Sequence, residues 1–122
     1  MNNEKVDSFH SSLQRLGEIL SEPESNTIRD AAIQRFEFTV ELAWKVIQER
    51  LRDENIDCRS PKSCLQEAFL FGLVEDDPGW LQMMEDRNLT SHTYNEKSAL
   101  SVYGRLPTYL PLLQHLSLRL GM

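Results

Sequence analysis

Apolar residues recur at steps of three and four along most of this chain, a spacing typical of amphipathic helices. Only five glycines and five prolines interrupt the pattern, and the sequence has no alternating β-branched run of the kind that marks strands. The first helix is predicted from about Glu4 to Leu20, with apolar positions at Val6, Phe9, Leu13, Leu16 and Leu20. The pattern therefore predicts an all-α protein.

The second predicted helix, from about Thr27 to Asp53, is the longest and has an unusually wide apolar surface. Its polar residues fall on one narrow stripe when placed at 100° steps: Asp30, Gln34, Glu37, Glu41, Lys45, Gln48 and Arg52. Leaving the remaining surface in water would cost about 25 cal/mol per Å². We therefore expect this helix to pack on several neighbours or partly on a second subunit, and Phe38 and Leu42 are the hypothetical dimer contact.

Start and stop signals divide the rest of the chain into three further helices. Ser60-Pro61 opens a short helix that Gly72 closes, and Asp77-Pro78 repeats the start signal. Asn95 caps the last helix, in which Pro107 and Pro111 predict a kink and not a stop. Short connections make an up-and-down four-helix bundle with an additional short helix the most economical fold. We expect one domain spanning 1–122, which assembles as a homodimer.

Composition and net charge limit the cellular compartments and the binding partners that the sequence predicts. The chain has no uncharged apolar run near the roughly 18 residues that a membrane span requires and no signal-peptide pattern at its start, which predicts a cytoplasmic protein without a membrane partner. Its net charge of −6 argues against broad nonspecific binding to nucleic acid, because such binding depends on many lysine and arginine contacts to phosphates. A local basic pocket is still compatible with RNA.

Neither a metal nor a cofactor is predicted. Cys58 and Cys64 match neither a CxxC redox motif nor a four-ligand zinc pattern, so we expect free thiols. His10 and His115 have no companions at metal-ligand spacing, and there is no glycine-rich phosphate loop.

The run DRNLTSHTYN at residues 86–95 is the one segment that suggests chemistry. Metal-independent RNA cleavage needs proton transfer at the ribose 2′-hydroxyl and the leaving oxygen, and a cation for the phosphate. Histidine as a residue type titrates near neutrality, and the planar guanidinium of arginine binds phosphate oxygens through two hydrogen bonds, so His92 and Arg87 suit this reaction. Because one histidine cannot easily be both acid and base, a twofold dimer that brings two pairs together would complete such a site.

The spacing of this pair poses a problem. Five residues apart on a regular helix, Arg87 and His92 would point about 140° apart. Thr90 and Ser91 have hydroxyls that compete for backbone hydrogen bonds, so we expect the fourth helix to unwind there and let the two side chains converge.

A purely structural alternative fits the same residues. Arg87 and His92 would then cap a helix and form salt bridges, and Tyr94 would be a half-buried loop aromatic. Glu41 and Lys45 would form an ordinary surface pair. Glu37 and Glu41 are at most a possible pocket wall.

Three segments in this order resemble one family: RFEFTVELAWK at residues 35–45, the stretch from Pro61 to Leu73, and DRNLTSHTYNE at residues 86–96. They are similar to the nucleotidyltransferase substrate-binding-protein-like family of the HEPN superfamily, over roughly Leu13 to Leu116. The resemblance implies a small all-α homodimer that forms a complex with a minimal nucleotidyltransferase.

Members with the Arg-x4-His-x-Tyr motif look like toxin ribonucleases, neutralised when the nucleotidyltransferase antitoxin attaches AMP to the motif tyrosine. Carried over, Arg87 would stabilise the scissile phosphate, His92 would transfer protons and Tyr94 would be the modification target. Supporting residues at the predicted bend would be Asn88, Thr90 and Ser91. The alternative within the family is a non-catalytic substrate-binding or regulatory subunit of a nucleotidyltransferase.

Overall fold

The computed structural model describes residues 3–92 and 95–121, with side chains for 4–90 and 95–121. This part of the chain forms five helices and no strand: α1 (Asn3–Leu20), α2 (Asn26–Asp53), α3 (Pro61–Phe71), α4 (Gly79–His92) and α5 (Glu96–Arg119). The prediction of an all-α bundle with one additional short helix is confirmed. None of these helices is both long and apolar enough to cross a membrane.

Local side-chain chemistry sets the boundaries of α2 and α3. The Ser25 hydroxyl accepts a hydrogen bond from the Ile28 N–H at 3.1 Å and caps α2. At the start of α3, Ser60 and Ser63 cap each other's backbone reciprocally, with Pro61 in the first turn. Gly72 ends α3 at φ 96°, a left-handed conformation that costs glycine nothing because it has no Cβ.

The last two helices begin where the sequence predicts. The Asp77 carboxylate accepts a hydrogen bond from the Gly79 N–H at 2.8 Å at the start of α4. The Asn95 side chain caps α5 by accepting from the backbone N–H groups of Lys97 and Ser98. Both internal prolines lie within α5, which confirms that neither stops it.

Helix α2 is the central element, because it packs against each of the other four helices. Its buried apolar side chains lie outside the predicted polar stripe: Ala32, Phe36, Val40, Ala43, Val46, Ile47 and Leu51. Phe38 points away from this core and is 58% exposed. The polar stripe faces α4 and the solvent, which brings α2 carboxylates beside the motif.

The prediction of free thiols is wrong. Cys58 and Cys64 form a disulfide, with their Cα atoms 5.1 Å apart, and both are buried. The chain turns back after α2, where the Gln48 side chain donates to the Cys58 carbonyl at 2.8 Å. Because α3 starts at Pro61, its first turn carries Cys64 to Cys58, and six residues of separation suffice for a structural crosslink.

Candidate functional site

The centre of the candidate site is an ion pair between α2 and α4. An Arg87 guanidinium nitrogen lies 2.8 Å from a Glu41 carboxylate oxygen, and each side chain is 31% exposed. A further contact of 3.4 Å joins Arg87 to the Asn88 side-chain oxygen. Arginine has five N–H donors, so the guanidinium is oriented by Glu41 while part of it remains open to solvent.

Glu41 is held by two further residues of its own helix. The indole N–H of Trp44 donates to the carboxylate at 3.2 Å, and the Lys45 ammonium lies 3.3 Å from its other oxygen. Burial by itself would raise the pKa of Glu41, but the hydrogen bond from Trp44 and the positive charges of Arg87 and Lys45 outweigh burial and lower this pKa. Glu41 is therefore ionised at neutral pH and fixed in position.

A second contact between α2 and α4 lies one turn from the ion pair. The Thr90 hydroxyl lies 3.1 Å from a Glu37 carboxylate oxygen and 3.2 Å from the Arg87 carbonyl. Glu37 lines a cavity beside Thr90, whereas Glu41 holds the arginine.

Behind Arg87, a buried polar network joins α4 to α5. Asp86 is only 5% exposed and accepts two hydrogen bonds of 2.8 Å from Arg105. The Tyr109 hydroxyl donates to the same carboxylate. Burial and the neighbouring Asp86 charge raise the pKa of Tyr109, so its hydroxyl stays a proton donor. This network fixes the rotation of α4 and hence the direction in which Arg87 leaves the helix.

The predicted unwinding of α4 at Thr90 and Ser91 is wrong. The helix continues through His92, because Thr90 bonds to the Arg87 carbonyl without displacing the helical ladder. The positions of Arg87 and His92 therefore lie about 140° apart around one axis. The side chains of Ser91 and His92, and Tyr94 as a whole, lie outside the described residues.

Asp86 and Trp44 belong to this site, although the sequence pattern assigned neither of them a role in it. Asp86 opens the motif, but its burial depends on α5 supplying Arg105 and Tyr109. Trp44 orients Glu41, and their spacing of three residues places both on one face of α2. An acid three residues after the buried Met83 was the available clue to Asp86, because residues three apart share a helix face.

Among the described residues, no group of three histidine, cysteine, aspartate or glutamate side chains could hold a metal ion. His10 contacts the Ser117 hydroxyl, and His115 pairs with Glu75 at 2.9 Å. Neither histidine contributes to the arrangement around Arg87.

Comparison with solved structures supports both the all-α fold and the family resemblance of this chain. A crystal structure of a Thermus thermophilus protein superposes with a TM-score of 0.85 at 41% identity, covering 93% of this chain and 99% of that one. A Haemophilus influenzae structure also has a TM-score of 0.85, at 27% identity, covering 96% and 99% of the two chains. That structure is described as revealing the fold of a substrate binding domain of a nucleotidyltransferase.

Sequence comparison supports the same family resemblance. The chain is 36% identical over 90 residues to a Haemophilus influenzae protein named "Probable ribonuclease HepT", over 70% of this chain and 62% of that protein. The model of the family described as "Nucleotidyltransferase substrate binding protein like" matches residues 4–121. The chain belongs to this nucleotidyltransferase substrate-binding-protein-like family.

Proposed function

We propose that this chain is a metal-independent endoribonuclease, the toxin of a toxin–antitoxin pair. The observation that carries the proposal is the orientation of Arg87, which Glu41 fixes at 2.8 Å while the guanidinium stays about one-third exposed. A cation held in this way meets phosphate without reorganising, which favours stabilisation of the charge that develops in the transition state. The relative named as a ribonuclease gives this proposal further support.

The reaction assigns one task to each group. His92 takes the proton from a ribose 2′-hydroxyl, whose oxygen then attacks the adjacent phosphorus. Arg87 binds the phosphate oxygens as negative charge accumulates. The bond to the 5′-oxygen breaks, and this oxygen leaves with a proton from a second acid, giving a 2′,3′-cyclic phosphate and a 5′-hydroxyl.

A homodimer supplies that second acid. Because α4 is regular through His92, the bend expected to join Arg87 and His92 within one chain is absent. In a twofold dimer that brings two copies of the Arg87 and His92 pair together, the two imidazoles act as base and acid. The exposed Phe38, together with the half-buried Leu42, is the apolar surface that we assign to this contact.

In this proposal, a minimal nucleotidyltransferase is the antitoxin and controls the ribonuclease activity. It transfers AMP from ATP to the Tyr94 hydroxyl and releases pyrophosphate. The added bulk and negative charge, two residues from His92, exclude RNA by sterics and repulsion. We place the complex in the cytoplasm and treat residues 1–122 as a single domain.

The decisive experiment is RNA cleavage by the purified, unmodified protein in EDTA. Arg87→Ala is expected to reduce the cleavage rate by about 100-fold to 1,000-fold, the usual cost of losing a transition-state donor, and His92→Ala at least as much. Glu18→Gln, an exposed α1 carboxylate, is the control and should cleave normally. Equal cleavage by all four proteins, or none by the wild type across structured and unstructured RNAs, would refute the proposal.

The control step has a separate test. When the chain is expressed with its nucleotidyltransferase, intact-mass spectrometry should show added AMP units, and peptide mapping should place them on Tyr94. Tyr94→Phe should carry no adduct and should remain active in the presence of the partner. An active partner that leaves Tyr94 unmodified would remove the AMP mechanism.

A second function is supported by the family and by the Haemophilus influenzae structure described as a substrate binding domain. In that case the chain is a non-catalytic substrate-binding or regulatory subunit of the nucleotidyltransferase. It predicts that nucleotide transfer to a third molecule requires this chain, and that Arg87→Ala impairs transfer without any RNA cleavage to lose.

A further inference from the structure

A cavity lies beside the Arg87 ion pair, between α2 and the facing ends of α4 and α5. It has a volume of about 180 Å³, and most of its wall is apolar. This volume is below the roughly 300–1,000 Å³ of sites for drug-sized ligands, so it has room for a single small ring system. The described residues that line it are Asp30, Ile33, Gln34, Glu37, Thr90, Asn95, Ser98 and Ala99.

The polar stripe of α2 connects this cavity to the arginine. Glu37 lines the cavity and Glu41 holds Arg87, and residues four apart on a helix are neighbours at about 5–6 Å. On α4, Thr90 lines the cavity and is hydrogen-bonded to the carbonyl of Arg87. The cavity and the Arg87 guanidinium are thus neighbours along both α2 and α4. The distance between them is comparable to the distance that a ribose sets between a base and its phosphate.

The charges of the lining select against phosphate. Asp30 and Glu37 contribute two carboxylates, and none of the described lining residues is lysine or arginine. A phosphate in the cavity would meet charge of its own sign. A neutral ring with N–H donors instead finds carboxylate acceptors at the edge and the aliphatic side chains of Ile33 and Ala99 against its face.

The side-chain amides of Asn95 and Gln34 further limit which ring the cavity can bind. The Asn95 oxygen already accepts from the backbone N–H groups of Lys97 and Ser98, so its amino group is the part suited to a ligand acceptor. Gln34 offers a donor and an acceptor on the same wall. Cytosine, adenine and guanine present amino donors beside ring acceptors or further N–H groups, whereas uracil has no exocyclic amino group.

We propose that this cavity binds an unpaired nucleobase bearing an exocyclic amino group, next to the phosphate held by Arg87. The inference rests on the proposed function, since it assigns the base specificity of the same RNA site. Asp30 and Gln34 are specificity-determining residues in this assignment, and neither is needed to hold Arg87.

CMP and UMP provide a matched pair of probes, since both carry the same ribose phosphate. Their bases differ at position 4, an amino group in CMP and a carbonyl in UMP, and at N3, an acceptor in CMP and an N–H donor in UMP. In NMR titrations of the isotope-labelled full chain, CMP should shift the methyl signals of Ile33 and Ala99 and the side-chain amide of Asn95. CMP should bind about tenfold more tightly than UMP, the usual range for a hydrogen-bonded base contact. Asp30→Asn should reduce this preference, and the exposed Asp76→Asn control should retain it.

Three results would overturn the assignment. These are equal binding of CMP and UMP, CMP shifts confined to other residues, and no shift at the cavity up to the solubility limit of either nucleotide. Shifts there with N-acetyl-arginine amide but not with CMP would assign the cavity to a basic protein side chain instead. The titration does not require cleavage, so CMP selectivity in an inactive protein refutes the ribonuclease alone, and cleavage without CMP binding refutes this site alone.

Discussion

Arg87 and Glu41, 46 residues apart in sequence, are joined by an ion pair of 2.8 Å between α4 and α2. Both side chains remain partly exposed, so solvent screening limits what the pair adds to stability. Its main consequence is geometric, because a carboxylate fixed by Trp44 and Lys45 gives the guanidinium one preferred orientation.

Glu41→Gln should slow RNA cleavage by roughly tenfold to a hundredfold, because a misoriented catalytic group commonly costs this much. The loss should appear mainly in kcat, since Glu41 acts through Arg87 and does not contact RNA. Glu41→Asp, which keeps the charge, should restore part of the rate. Single-turnover kinetics measures both effects, and a change confined to KM would contradict a positioning role.

The pH dependence of stability should also report on Glu41. Its pKa is lowered in the folded protein from an ordinary value of 4.5, so the folded state binds this proton less readily than the unfolded state. The stabilisation is therefore present above about pH 5 and is lost as the pH falls through the lowered folded pKa. The difference in Tm between the wild type and Glu41→Gln should shrink on acidification below pH 5, and a difference that grows would contradict the shift.

Asp86→Ala should destabilise the fold by about 3 kcal/mol, because it leaves Arg105 and the buried Tyr109 hydroxyl without their carboxylate. Urea unfolding measures this loss. The adjacent Glu85 is exposed, so Glu85→Ala should stay within about 0.5 kcal/mol of the wild type. Similar losses in the two variants would show that the network is not what holds α4.

Reduction of the Cys58–Cys64 disulfide should lower stability by about 2 kcal/mol, as expected for a crosslink closing a short loop. Thermal unfolding with and without dithiothreitol measures the effect. The Cys58→Ala, Cys64→Ala double variant should be insensitive to the reductant. If both cysteines of the wild-type protein are alkylated under non-denaturing, non-reducing conditions, the crosslink is contradicted.

Phe38→Asp should convert the proposed dimer to a monomer, because a charge at the centre of an apolar contact is costly to desolvate. Leu118 is 69% exposed near the end of α5, so Leu118→Asp is a matched control and should remain dimeric. Light scattering at micromolar concentration distinguishes the two states. A monomeric wild type would exclude the dimer, and with it the proposed sharing of His92 between subunits.

The helical fold was largely encoded in local sequence. Ser25, Ser60, Gly72 and Asn95 mark helix ends through hydrogen bonds or backbone angles confined to a few residues. The polar stripe predicted for α2 likewise excludes every side chain that the structure buries in this helix. Such features depend on neighbours in the chain, so a sequence pattern can specify them.

The contacts that define the candidate site depend on packing between helices. By itself, the sequence determined an all-α chain with Arg87 and His92 in one motif. Only the tertiary structure decided that Glu41 pairs with Arg87 and that Asp86 is buried against α5. The physical reason is distance along the chain, because the relative rotation of α2, α4 and α5 is set by the whole core and leaves no local pattern in any one helix.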